Sequence, residues 1–438
     1  MPKTPRQLAL DILCRVEDGA YANHLLDTHR RALPPRDRDF LQHLVLGTLT
    51  WRQKLDHILN VYLPSPIHKQ QPAVRNLLRL GVYQLEHLDR VPPYAIVNES
   101  VTLARKTQGA SASRFVNAIL RGIAEKRKSV SYPNAQTQPV EHLAITQSHP
   151  PWMVKRWIDR YGFDNTQKLC QINNTKPILT IRTNTLKNTP QELQKHLSQE
   201  NIQADTIDQH PQMLAIPHPS TLFQTTAFQK GLFFVQGVGA ASVTDLLNPQ
   251  KNETILDMCS APGGKTTAMA EKMQNTGSII AVDLYPTRLK TVLQNAKRLQ
   301  ITNIHTLAAN ANQLPTNQKF DRILLDVPCS TLGILNHHPD MRWQRQIQDI
   351  HTLAQQQQTL LTQAATYLKP NGTLVYSTCT LEPEENENII TTFLSTHPQF
   401  HLDPAHHHLP FTKNDYLHLL PQEYTHDGTF AARLRKLS

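Results

Sequence analysis

Cysteine is scarce in this 438-residue chain, and the five present are far apart. Cys14, Cys170, Cys259, Cys329 and Cys379 form no CxxC pair, which excludes a disulfide framework and argues against a zinc site. Reduced thiols fit a cytoplasmic protein. No apolar run approaches the roughly 18 residues of a membrane span. The opening MPKTPRQLALDIL lacks the apolar stretch and small-residue cleavage site of a signal peptide. The expectation is therefore a cytoplasmic chain with no membrane partner. No coiled-coil heptads are present, and neither the GxxxxGK of a P-loop nor the GxGxxG of dinucleotide enzymes occurs. Charged residues make up only 18% of the chain, against 39% hydrophobic, which excludes a wholly disordered protein. Histidine is plentiful at 22, with HHP at 337–339 and HHH at 406–408. Adjacent imidazoles rarely converge on one ion, so these read as surface composition, and no metal is expected.

The length predicts two or three domains. Charge divides them. Residues 1–130 hold 20 Lys+Arg against 11 Asp+Glu, whereas the remaining residues hold 25 against 24. A basic third beside a neutral remainder reads either as a polyanion-binding appendage or as a solvated face. Arg36, Arg38, Arg114 and Arg121 are candidate phosphate contacts, and each could equally be a solvated arginine.

Apolar residues recur at helical spacing over 4–127, as in Leu8, Ile12 and Val16 or Leu77, Leu80 and Leu85. Pro34-Pro35, Pro64 to Pro66 and Pro92-Pro93 interrupt them, which predicts a bundle of short helices over 1–130. The polar stretch Ser129 to Gln138 is a linker candidate. A helix, a strand over 178–185 and a helix opening at Pro190 suggest a small α+β module over 145–230. From 231 to 438 an α/β pattern follows, strand and helix alternating from about residue 250. This predicts a doubly wound sheet with ligands at the carboxyl ends of its strands.

Two features carry the chemistry. DMCSAPGGKTT, at 257–267, joins a predicted strand to a helix, and Gly263 and Gly264 let backbone approach a ligand. The next predicted strand ends in Asp283, about 20 residues on, where an acidic side chain holds ribose hydroxyls. Together they predict an adenosine-containing cofactor. Read alone, Asp283 is a helix cap before Pro286. LLDVPCSTLG places Asp326 and Cys329 at one strand end, and VYSTCTLEPEEN places Cys379 at another. A single cysteine is usually a small buried hydrophobe. Two of them at strand ends beside a cofactor loop favour chemistry.

DMCSAPGGKTT, AVDLYPTRL, LLDVPCSTLG and YSTCTLEPEEN resemble the motifs of RNA (cytosine-5) methyltransferases, which use S-adenosylmethionine. RQLALDIL, RDRDFLQHLVLGTLTWRQKLDHIL and SRFVNAILRGI are similar to the NusB-like RNA-binding domain. The pairing is that of the bacterial 16S rRNA methyltransferases of the RsmB/Sun/Fmu family, and the likeness covers nearly the whole chain. It implies a NusB-like bundle, an RRM-like middle module and a Rossmann-like class I methyltransferase domain. It implies 16S rRNA as partner, cytosine 967 as target, and a monomer. By resemblance Cys379 is the nucleophile, Cys329 assists adduct breakdown, and Asp326 bonds the ring edge and helps protonate nitrogen 3. The segment Cys259, Ser260, Ala261, Pro262, Gly263, Gly264 and Lys265 wraps the methionine moiety, and Asp283 holds the ribose. Arg288 matches a position near the cofactor; otherwise it is a surface helix arginine.

The chain departs from the family pattern twice. Asn310 stands where an aspartate usually bonds the adenine amino group, although the alignment could slip to Asn312. An amide oxygen can still accept that bond. At 233–242 the family reads QD, and here Gly237 follows Gln236, so an acidic contact is missing and a glycine-rich turn is expected. His338, Pro339 and Asp340 match a loop expected to shape the RNA entrance. Two other readings compete: a tRNA cytosine-5 methyltransferase, and a non-catalytic RNA-binding or antitermination factor with a relict fold. The intact thiols argue against decay.

Overall fold

Helix α1 (Pro5–Glu17) starts on Thr4, whose hydroxyl accepts from the Gln7 N–H in the computed structural model. The structure describes residues 3–30, 33–208, 210–405, 409, 411–424 and 426–438. The HHH run at 406–408 lies outside the described residues. The chain divides into two units: Met1–Lys176 with Leu335–Arg345, and Pro177–Ile334 with Gln346–Ser438.

The first unit is all helical: α2 (Ala22–Arg30), α3 (Pro35–Thr50), α4 (Arg52–Tyr62), α5 (Pro72–His87), α6 (Pro93–Ala124), α7 (Pro139–Thr146), α8 (Pro151–Tyr161) and α9 (Phe163–Asn173) follow α1. Several open on proline at the first turn, where its missing N–H costs nothing. Leu13, Leu41, Leu44, Leu55 and Leu78 are fully buried in one core. Within it Arg79 of α5 forks onto Asp56 of α4 at 2.6 and 2.8 Å and also pairs with Glu17 of α1. The helical run α6 breaks at Gly109, whose φ of +89° suits only glycine. The chain doubles back there, because the Ser113 hydroxyl donates to the Val101 carbonyl at 3.2 Å. The stretch 129–138 is irregular, and its Ser131 carbonyl lies 2.7 Å from His57 Nε2.

Residues 335–345 complete this unit. Arg342 is fully buried and donates to the Thr50, Ser148 and Asn173 carbonyls and to Asn174 Oδ1 at 2.8–3.2 Å. Trp343 Nε1 donates to the Leu49 carbonyl at 2.6 Å. Asp340 Oδ2 accepts the Ala22 N–H, satisfying the bare start of α2 with a carboxylate from a distant segment. Two expectations are corrected here. His337 and His338 are not surface composition: both are half-buried, and Asn23 Nδ2 reaches the His337 carbonyl and the His338 ring. Pro339 and Asp340 are buried among helices instead of lining an entrance, because the α2 terminus needs an acceptor.

The second unit holds two sheets. β1 (Leu179–Thr183), β2 (Asp205–Thr206), β3 (Met213–Ile216) and β4 (Phe233–Val235) form an antiparallel sheet in the order β2-β3-β1-β4. This small ferredoxin-like module carries helix Pro190–Gln199, started by a Thr189–Glu192 capping box. Ile181, Leu193, Leu197, Leu214 and Phe233 form its core.

The larger sheet is Rossmann-like. β5 (Thr254–Asp257), β6 (Ser278–Asp283), β7 (Ile304–Ala308), β8 (Phe320–Asp326) and β9 (Leu368–Thr378) run parallel in the order β7-β6-β5-β8-β9. β10 (Phe400–Leu402), β11 (Thr412–Lys413), β12 (Tyr416–Leu419) and β13 (Thr429–Lys436) extend it antiparallel beyond β9. The strand order reverses beside β5, so the crevice for a ligand opens at the ends of β5, β6 and β8. The glycine-rich turn expected over 233–242 is instead β4 followed by helix Val238–Leu247. Gly237 only starts that helix, in extended backbone, while Val238, Ala241 and Leu246 bury its apolar face.

Candidate active site

Three acidic residues end adjacent strands: Asp257 on β5, Asp283 on β6 and Asp326 on β8. The loop after β5 folds on itself, with Gly263 N–H donating to the Ser260 carbonyl and Ser260 N–H to Val282 of β6. The Ala261–Pro262 peptide is cis. Gly263 has φ +99°, and a Cβ there would meet Val292 at 3.1 Å. That position requires glycine on both counts. Helix Gly264–Lys272 then points its free N–H groups into the crevice.

The cradle has outside braces. Arg288 Nη2 donates to the Ala261 carbonyl at 3.0 Å while Nη1 pairs with Asp283 at 3.1 Å. It thus ties the loop to the ribose-side strand. Asp283 Oδ1 also accepts the Tyr285 N–H. Arg182, reaching from β1, is buried and donates to the Gly264 carbonyl at 2.9 Å, to Thr267 and to both oxygens of Glu271. It also bonds Gln236 Oε1, and leaves Gln236 Nε2 buried with no partner beside Gly264. An orphaned buried donor at a glycine cradle suits a ligand with an anionic group. No acidic side chain follows Gln236 in sequence, but Asp427 Oδ2 lies 2.8 Å from where a Gly237 Cβ would stand.

Lys265 Nζ donates to Asp326 Oδ2 at 2.7 Å, and Ser377 hydroxyl to Asp326 Oδ1 at 2.7 Å. Burial works to lower the Lys265 pKa, but Asp326, with Cys379 and Asp257 adding to it, turns the net shift upward, so the ammonium stays charged. Asp257 is fully buried, accepts from the Thr266 hydroxyl at 2.7 Å, and is pushed up to about 7 by desolvation, with Asp326 adding to the rise. Cys259 is pushed up to about 12 by burial and by the three carboxylates, which keeps it a neutral thiol. Asn310 is exposed beyond β7, and its Oδ1 accepts the Asn312 N–H at 3.0 Å.

Cys329 and Cys379 leave β8 and β9 with their sulfurs 3.1 Å apart. The Cys379 N–H also points at Cys329 Sγ, at 3.3 Å. Cys329 is buried, and its pKa is raised well above the ordinary value by the contact with Cys379 and by desolvation. Cys379 is the more exposed of the two. Both loops are clamped from behind. Glu385 Oε2, in the 3-10 turn Pro383–Glu385, accepts Ser330 N–H at 2.9 Å and Gln357 Nε2 at 2.8 Å. Gln357 Nε2 also donates to the Pro328 carbonyl, so the residues on either side of Cys329 are both held. On the other loop the Thr378 hydroxyl donates to Asn386 Oδ1, and Asn386 Nδ2 donates to the Thr380 carbonyl.

The structure thus gathers Cys259–Lys265, Asp283, Arg288, Asp326, Cys329 and Cys379 at one sheet edge. Asn310 follows β7 on the same edge. Sequence reasoning missed Asp257, Arg182 and Glu385. Asp257 and Glu385 lay within quoted motifs. A lone arginine in the apolar strand ILTIRTNT was the available signal for Arg182, since a strand buries a cation only against a partner.

Three family models match the chain in order: the NusB family over residues 3–125, the RsmF/B-like ferredoxin-like domain over 149–222, and 16S rRNA methyltransferase RsmB/F over 244–435. The chain is 36% identical to the probable ribosomal RNA small subunit methyltransferase B of Bacillus subtilis (strain 168), with 100% of both covered. It is 32% identical to ribosomal RNA small subunit methyltransferase B of Proteus mirabilis (strain HI4320), with 98% of both covered. The solved structure of PH0851 matches with TM-score 0.81 and 25% identity over 100% of both chains.

Proposed function

The chain belongs to the RsmB/F family of 16S rRNA methyltransferases, and on that premise we propose that it methylates carbon 5 of one cytosine, cytosine 967, through a covalent cysteine adduct. The observation that carries this reading is the thiol pair, 3.1 Å apart, at strand ends beside the glycine cradle. Carbon 5 of cytosine is a poor nucleophile, and covalent attack by a thiol on carbon 6 activates it.

S-adenosylmethionine, when bound, supplies an electrophilic methyl group on its sulfonium. Residues Cys259 to Lys265 would hold its methionine part, with the Gln236 amide as a donor, and Asp283, braced by Arg288, would hold its ribose. Asn310 offers an amide oxygen to the adenine. Cys379 attacks carbon 6 as a thiolate, and the carbon–sulfur bond forms as the ring's electrons shift toward nitrogen 3. Asp326 bonds the ring edge and passes to that nitrogen a proton drawn from the Lys265 ammonium that donates to it. Carbon 5, now enamine-like, takes the methyl group. Loss of its proton to a base then breaks the bond to Cys379 and restores the aromatic ring. Cys329, held as a thiol 3.1 Å from that sulfur, gives its proton to the departing Cys379 and so assists this breakdown. The target base must leave any stack to reach these groups. The chain acts as a monomer in this reading, and in the cytoplasm. Among the described residues no helix is long and apolar enough to cross a membrane.

The test incubates the purified protein with labelled S-adenosylmethionine and separate pools of unmethylated 16S rRNA and tRNA, then maps the label. Label at carbon 5 of one rRNA cytosine is expected. Label on tRNA would keep the chemistry and overturn the substrate. No label on either, with cofactor binding confirmed, would favour a particle-only substrate or the relict reading.

A further inference from the structure

The doubled-back helix α6 encloses a groove of about 440 Å³ within the helical unit, lined by none of the residues of the candidate active site. Tyr94, Val97 and Asn98 line one side, and Asn117 and Arg121 line the other. Its size falls in the range of small-ligand pockets, roughly 300–1,000 Å³. Tyr94 is 78% exposed, the most exposed large hydrophobic residue among those described. The Asn98 and Asn117 amides bond no protein group among the described residues. An aromatic ring presented bare beside two unengaged amides is a poor packing solution and a good recognition surface. A ring stacks on any base, and amides read base edges.

Charge identifies the occupant. Residues 90–128 hold eight Lys+Arg against two Glu, an excess of six within a chain whose formal charge is +10. All eight cations are exposed. Of the groove's own lining only Arg121 and Glu125 are charged, and they pair at 3.4 Å, so the excess lies on the rest of the segment. An apolar peptide would gain nothing from so basic a segment, whereas a phosphate backbone would. Resting on the rRNA reading above, we propose that this groove binds one unpaired nucleotide of the rRNA substrate. Its base stacks on Tyr94 and its edge meets Asn98 and Asn117, while exposed cations of residues 90–128 track the phosphates.

The test measures binding of the full chain to a short unstructured RNA oligonucleotide and to an RNA duplex across a salt series. Tyr94→Ala should weaken oligonucleotide binding about tenfold, with the salt slope and duplex binding unchanged, and Tyr94→Phe should restore it. Asn117→Ala should act in the same direction. In methylation assays Tyr94→Ala should raise KM for rRNA and leave kcat alone. Wild-type RNA binding by Tyr94→Ala would overturn the proposal. So would equal loss on oligonucleotide and duplex, which would indicate a charged patch only. A defect confined to ribosomal particles, with naked RNA bound normally, would assign the groove to a protein and also overturn it. The rRNA reading fails separately, if the wild-type chain itself transfers no methyl group to rRNA.

Discussion

Cys329 Sγ lies 3.1 Å from Cys379 Sγ, and the same sulfur faces the Cys379 N–H at 3.3 Å. The pair is asymmetric. Cys329 is the buried member, held protonated by its neighbour and by desolvation, whereas Cys379 is more open to the crevice. A buried thiol that still holds a proton can give it to its departing neighbour, which suits release of a product, and an accessible thiol suits attack.

That asymmetry predicts different failures. Cys379→Ala should abolish methyl transfer and leave cofactor affinity nearly intact, since the cradle is built on other strands. Cys329→Ala should trap the protein on its RNA, seen as a slow-migrating species on a denaturing gel when cofactor and substrate are both present. Wild-type turnover by Cys379→Ala would sink the assignment. Absence of the trapped species would count against the release role of Cys329.

Glu385 touches neither sulfur, yet it sets where one of them sits. Its carboxylate, buried and raised in pKa by desolvation, holds Ser330 directly and Pro328 through Gln357. Glu385→Ala should lower kcat by about 100-fold through misplacement of Cys329, with little change in KM for cofactor. Glu385→Gln, which keeps an acceptor for the Ser330 N–H, should recover part of the loss. A KM effect with kcat unchanged would refute this positioning role.

The Rossmann-like strands were legible because buried parallel strands read as apolar runs between turns, as ILLD and SIIAVD do. Cys329, Cys379 and Asp283 were legible because each ends such a run. What sequence could not show is where buried cations find acceptors. Arg182 bonds Glu271, 89 positions away, and Arg342 bonds Thr50, 292 positions away. Nothing periodic links such partners. The loop at 337–343, with His338, Pro339 and Asp340, therefore read as shaping an entrance, although Asp340, Arg342 and Trp343 bond into a helical core. Short strands such as β2 and β11, two residues each, carry too little alternation to be seen.

Arg342 gives a stability prediction. Four neutral acceptors surround its guanidinium in the helical unit, three of them backbone carbonyls. Arg342→Met keeps much of the volume but strips those carbonyls of their donor. It should destabilise the helical unit by about 3 kcal/mol or more, lowering the melting temperature of that unit in thermal melts of the full chain. An unchanged melt would show that water replaces the guanidinium at no cost.

Asp257 makes stability depend on pH in a direction opposite to most carboxylates. Desolvation pushes its pKa from an ordinary 3.8 up to about 7, so between these values the folded chain keeps a proton that the unfolded chain has lost. Its stabilising contribution is therefore complete below about pH 4, falls as pH rises through 7, and is level beyond. Asp257→Asn cannot ionise and still offers Thr266 an acceptor, so it escapes that slope. Denaturant titrations at a series of pH values should show the Asn variant gaining on the wild type from about pH 4 to 7, then running parallel to it. Parallel curves throughout would mean that Asp257 is already ionised in the fold. The buried charge would then have to be balanced by Lys265, whose ammonium acts to lower the Asp257 pKa, in place of a retained proton.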